Sequence, residues 1–306
     1  MQSLIKTTST AILTGIVSAA SILGAGTASA AGIQGISIGG SAPSDYYVYG
    51  VNGSNQTVRI PSTVTNAQSV LGGNAASPTG NVELAASSET AGFDFTKNTT
   101  LSGVLGTSQG SQPITLSSLT IGDWQTVLPS GKTLQQQWFA DLMTKYPVLN
   151  ASQQTTAYSA FMNPNFKLLQ RLSDPNISYV NSAADGSVKI GLAGFLNANP
   201  LLGATAPVGT PIALASILNA LSNTPMQASE VVKVTYAGKT SYLYGFTATA
   251  SGLVAADDGR SHTGNYEFYL SAPPSRSVPV PAAFLGVAAA GAVGGLMMKR
   301  RKASQA

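Results

Sequence analysis

The chain has 306 residues, no cysteine and one histidine, and only 9% of it is charged, against roughly 25% in an average soluble protein. The missing thiols exclude a disulfide framework and thiolate metal sites. The formal charge of +4 arises at the ends: Lys6 and the last four cations leave eleven cations against twelve carboxylates between residues 31 and 277, so the body offers no footprint for a nucleic acid.

From the N-terminus, Lys6 gives a weakly positive start and "AILTGIVSAASILG" (11–24) is an apolar run of signal-peptide length. Small residues at Ala28 and Ala30 occupy the −3 and −1 positions of a cleavage site, with Ala31 as the first mature residue. Residues 1–30 therefore read as a signal peptide handled by the Sec machinery and signal peptidase.

The body, 31–270, reads as α+β: antiparallel and β-rich, with a central group of helices, flanked by the signal peptide and a single C-terminal transmembrane helix. Its parts are a β-rich stretch at 31–121, a mainly helical one at 122–225 and β hairpins at 226–270. Strands are expected at "GISIGG" (35–40), "YYVYGV" (46–51), "TVRI" (57–60), "GFDF" (92–95), "LSGVLG" (101–106) and "ITLSSLTI" (114–121). The small polar residues of 62–79 predict a loop. Leu134, Trp138, Leu142 and Tyr146 share one helical face, with Ser130 as the expected cap and Pro147 as the stop. A second helix is expected over 152–161, a short one in "FKLLQRL" (166–172), and a further one over 211–221 behind Thr210 and Pro211. Strands resume at 177–180, 187–195, 230–238, 241–250 and 265–272, with "YAGKTS" and "ADDGRSHTGN" as hairpin turns.

"SAPPSRSVPV" begins a Pro/Ser linker (271–281), extended and stiff. Residues 282–298 carry no charge. These seventeen residues sit at the short end of what crosses a membrane, since a ~30 Å hydrocarbon core takes roughly 17–25 residues. Lys299, Arg300, Arg301 and Lys302 then hold the 299–306 tail on the cytoplasmic side. The proline-containing start at Val278, Pro279, Val280 and Pro281, the apolar run and the basic end resemble PEP-CTERM sorting signals. Val280 stands where that family usually has Glu, nearer its VPLPA-type variant. The resemblance implies an exosortase-type protease that cuts near the motif and releases or transfers the body to the cell surface or extracellular polymer. It also implies a Gram-negative or cyanobacterial source and passage through the inner membrane. Residues 168–198 are similar to exported cyanobacterial proteins that carry such tails. An ordinary permanent anchor is the alternative for this end.

Little in the body points to chemistry. "GISIG" matches GxSxG, and Ser37, Asp257 and His262 stand in hydrolase-triad order. That motif needs a strand-to-helix elbow, whereas "GISIG" reads as a strand, and a lone turn histidine is ordinarily solvated. Neither GKT, at 131–133 or 238–240, has the upstream glycine of a phosphate loop. Asp257, Asp258 and Glu267 lack the spacing of a calcium loop and read as an acidic turn. Tyr46, Tyr47, Tyr49, Tyr242 and Tyr244 alternate on expected strands, where they read as half-buried cross-strand pairs with sugar stacking as the alternative. The expectation is an exported, non-enzymatic surface or matrix protein, structural or associated with extracellular polysaccharide, with no catalytic residue, metal or cofactor. A secreted hydrolase built on Ser37, Asp257 and His262 is the runner-up.

Overall fold

The computed structural model describes residues 31–107, 110–162, 168–183, 185–199 and 226–272. The signal segment, the expected helix at 211–221, the sorting motif, the apolar run and the basic tail lie outside them. In chain order the elements begin with β1 (Ala31–Gly32), β2 (Gln34–Gly40), β3 (Tyr46–Val51), β4 (Gln56–Ile60), α1 (Val64–Val70) and β5 (Gly80–Leu84). Next come β6 (Thr99–Thr107), β7 (Gly110–Ser117), α2 (Ile121–Trp124), α3 (Leu134–Lys145), α4 (Ala151–Phe161) and α5 (Leu168–Arg171). The rest is β8 (Asn176–Ser182), β9 (Val188–Gly194), β10 (Val232–Tyr236), β11 (Lys239–Leu243), β12 (Thr249–Ala250), β13 (Val254–Ala255) and β14 (Gly264–Leu270).

Two sheets result. The larger runs β12-β14-β9-β8-β5-β3-β4-β13, with β1 also paired to β8, and the smaller runs β11-β10-β7-β6-β2. The pairings are antiparallel except that of β13 with β4. The period-two alternation of the strands places the core. Val48, Val82, Leu84, Ile177 and Ile190 point inward from the large sheet, and Leu101, Leu105, Ile114, Leu116, Val232 and Val234 from the small one. They meet in one hydrophobic cluster, so the body is a β-sandwich. Each such fully buried aliphatic contributes about 1.5–3 kcal/mol through water exclusion. Strand β8 is buried along its whole length. Its Tyr179 ring lies against Gly191 of β9, where an added Cβ would stand 2.2 Å from a ring carbon.

A second cluster lies around the helices. Trp138 of α3 stacks on Phe161 of α4 at 5.1 Å, and Trp124 donates its indole N–H to Ser173 Oγ at 2.7 Å. Leu119, Met226, Ala228 and Val231 join this cluster. Backbone bonds from Leu119 to Ser173 and from Val231 to Leu172 join the helical layer to the sandwich, and the Lys233–Asp123 ion pair at 2.7 Å ties α2 to β10.

Several local expectations meet a different structure. The 62–79 stretch contains α1, capped by Thr63 and anchored by buried Ala67 and Val70. Strand β5, unforeseen, sits between β3 and β8. Residues 92–95 form no strand, and Ile121 opens α2 instead of ending a strand. Helix α3 is capped by Thr133, whose hydroxyl accepts from the Gln136 amide while Gln136 reciprocates, so Ser130 is not the cap. The strand expected at 241–250 divides into β11 and β12 because Tyr244 and Phe246 turn toward the helical cluster. The hairpin at "YAGKTS" forms as expected: Ala237 and Gly238, at φ 51° and 74°, close a two-residue turn between Tyr236 and Lys239.

Candidate functional site

The most unusual electrostatics lie where the helical layer meets the large sheet. Strand register sets Glu83 of β5 opposite Asn176 of β8. The turn before β8 supplies Asp174, and the segment entering β10 supplies Glu230. Asp174 and Glu230 are buried, and Glu83 is half-buried between Val82 and Leu84. Glu230 accepts the Asn176 backbone amide at 3.0 Å, and Ser88 donates to Asp174 Oδ2. Asp174 Oδ1 has no hydrogen-bond partner among the described residues.

Burial pushes the Glu83 carboxyl up to about 8 against a hydrogen bond with Tyr49. Burial also pushes Glu230 up to about 8, against its bond with the Asn176 amide. Asp174 is held well above the ordinary carboxyl range by burial and then by the Glu230 charge. These three groups oppose one another because water is excluded and a like charge is near.

His262 belongs to the same network. It is 4% exposed, not solvated as its polar turn suggests. Its Nδ1 lies 2.7 Å from Thr57 Oγ1 and its Nε2 3.2 Å from Asn176 Oδ1. Asn176 turns its amide nitrogen to Glu230, so its Oδ1 is the acceptor for His262 Nε2–H, and Nδ1 accepts from Thr57. The Tyr49 ring meets the imidazole edge-on at 4.9 Å. Burial lowers His262 to about 4, so the ring is neutral at pH 7. The adjoining cavity, lined by Asn81, Ser178, Ser251 and Asn265 among others, holds about 10 Å³, room for about one water molecule.

The structure does not bring the candidate triad together. Ser37 is exposed on β2 of the small sheet, paired with Ser102. His262 spends both ring nitrogens on Thr57 and Asn176 beside the large sheet. Asp257 is exposed, and Asp258 closes its own turn by accepting the Arg260 and Ser261 amides. "GISIG" is a strand, not an elbow. Glu267 is occupied by Tyr179, Lys189 and Tyr269, and among the described residues no group of three or more acidic or histidine side chains is arranged to hold a metal ion.

The five tyrosines have structural partners. Tyr46 donates to Ser62 O at 2.7 Å, Tyr244 to Asp141 at 2.7 Å and Tyr242 to Asp123 at 3.3 Å. Arg59 covers the Tyr47 ring at 3.2 Å. An open cleft of about 340 Å³ beside Asp45, Ser87, Phe93 and Asp94 is polar, but its carboxylates are spent internally. Asp45 takes the Ser87 amide and hydroxyl, and Asp94 takes Thr96 and Lys97.

Sequence reasoning did not single out Glu83, Asp174 or Glu230. The available signal was an acid set inside an apolar run, as in "NVEL" around Glu83. Among the processing residues, Ala31 alone is described: its backbone pairs with Ser182 in β1–β8. Compared with protein-family models, curated proteins and solved structures, the chain matches none of them.

Proposed function

We propose that this chain is an exported cell-surface or extracellular-matrix protein, cut at both ends and serving a structural or polysaccharide-associated role without catalysis. The observation that carries the reading is how the first and last described strands of the chain are placed relative to the two cut sites. Ala31, the residue after the small-residue cleavage site, is paired with Ser182 in the large sheet, and β14 ends at Leu270, before the linker that leads to Val278, Pro279, Val280 and Pro281. Cuts after Ala30 and near 279–281 therefore leave every described strand pairing intact. The apolar run 282–298 and the cluster Lys299, Arg300, Arg301 and Lys302 suit transient passage through the inner membrane and recognition by an exosortase-type protease. The near-neutral body, rich in hydroxyl and amide groups, suits life among neutral polymers.

Intact-mass analysis of the cell-surface form tests this reading. A species beginning at Ala31 and lacking residues 282–306 is expected. A surface form that retains both terminal segments overturns it, and one that keeps only 282–306 makes the C-terminal run a permanent anchor.

A further inference from the structure

The outer face of the small sheet carries a feature that no linear pattern announces. In register across β2, β6, β7, β10 and β11, Ser37 stands opposite Ser102, Ser102 opposite Thr115, Thr115 opposite Thr235, and Thr235 opposite Thr240. Cross-strand partners share a face, so five hydroxyls lie in one row across every strand of the sheet. At ~4.8 Å between strands the row is roughly 19 Å long. Ser37, Thr235 and Thr240 are exposed, while Ser102 and Thr115 are half-buried. Two neighbouring pairs already touch, Ser102 with Thr115 at 3.0 Å and Thr235 with Thr240 at 3.1 Å. Each hydroxyl has one donor and two acceptor sites, so both pairs keep capacity for a ligand.

The flanks narrow the ligand class. Two residues along β6 and β7 from this row, and so on the same face, Val104 and Pro113 pair with each other, both exposed. A strip of apolar surface thus borders the hydroxyl row. The five strands contain no Asp or Glu, and their lysines are Lys233, held by Asp123, and Lys239. A phosphate polymer would find too few cations here. A protein partner would find few of the large aromatic or arginine anchors that dominate protein interfaces. Sugar rings offer what the face matches: hydroxyl edges that donate and accept, and C–H faces for the apolar strip.

We propose that this face binds an extended, uncharged polysaccharide, with Ser37, Ser102, Thr115, Thr235 and Thr240 as its hydroxyl contacts and Val104 and Pro113 as its apolar border. The proposal rests on the polysaccharide-associated reading above and gives it a surface.

The test uses the protein recovered from its own cell surface, mixed with insoluble cellulose, chitin and the producing cell's extracellular polymer, with depletion from solution measured. The triple variant Thr115→Val, Thr235→Val, Thr240→Val keeps β-branched side chains and so keeps the strands. It is expected to lose roughly tenfold or more in affinity as three hydrogen-bonding groups go, while its thermal midpoint stays near that of the parent. Thr144→Val, on exposed α3 surface outside the sheet, is expected to bind as the parent does. Equal binding by parent and triple variant overturns this face as the site but leaves polysaccharide association standing. A parent that binds none of the three polymers, yet shows both terminal cuts by mass, overturns the inference and leaves export and processing intact.

Discussion

Replacing Glu83 with Gln tests the buried carboxyl cluster directly. In the folded chain this carboxyl titrates at about 8 against an ordinary 4.5. Below pH 4.5 it is protonated in folded and unfolded states alike and costs nothing. Between 4.5 and 8 only the folded state holds the proton, so stability falls as pH rises, by about 1.4 kcal/mol per unit. Above 8 the full penalty of about 5 kcal/mol is present. From pH 6 to pH 9 the wild-type chain should therefore lose about 3 kcal/mol through this group, which Glu83→Gln cannot lose. For a body of this size that is a difference of roughly 6–12 °C in Tm. Glu83 also raises Glu230 and Asp174 through its charge, so its removal relieves them in the same direction. Calorimetric melts of both proteins at pH 6, 7, 8 and 9 make the comparison. The expected result is curves that diverge with rising pH, the variant being the more stable at pH 9. Parallel curves would show that Glu83 is already ionised in the folded state, and the burial argument would fail.

Two further predictions concern single residues. His262, lowered to about 4 by burial, should show no imidazole titration by NMR between pH 5 and 8. Its folded pKa lies below the unfolded value, so its contribution is present above 6.5 and is lost as pH falls toward 4, about 3 kcal/mol in all. A titration midpoint near 6.5 would place the ring in solvent. Thr133→Ala should cost about 1 kcal/mol by removing the cap of α3, whereas Ser130→Ala should change stability by less than about 0.5 kcal/mol. Urea midpoints distinguish them, and a larger loss at Ser130 would restore it as the cap.

What the sequence by itself determined is what neighbouring residues decide. The aromatic and β-branched run "YYVYGV" between turn residues marks β3 at 46–51, and the Ala237-Gly238 turn sets the β10–β11 hairpin, because both depend on backbone conformation over a few residues. The apolar face of Leu134, Trp138 and Leu142 marks α3 for the same reason. The α+β character follows from the order of such segments. Only the tertiary structure decided the rest. Helix α1 is seven residues long, too short to be stable alone, and exists because Ala67 and Val70 pack into the sandwich. Strand β5 is placed by pairing with β3 and with β8, which comes much later in the chain. That same pairing carries Glu83 to Asn176, and Asn176 joins Glu230 to His262. A carboxyl or imidazole is solvated or buried according to which distant strands close over it, and the cost of that burial depends on the dielectric they create. The hydroxyl row has the same origin: Ser37, Ser102, Thr115, Thr235 and Thr240 are scattered in sequence, and the register of five strands aligns them.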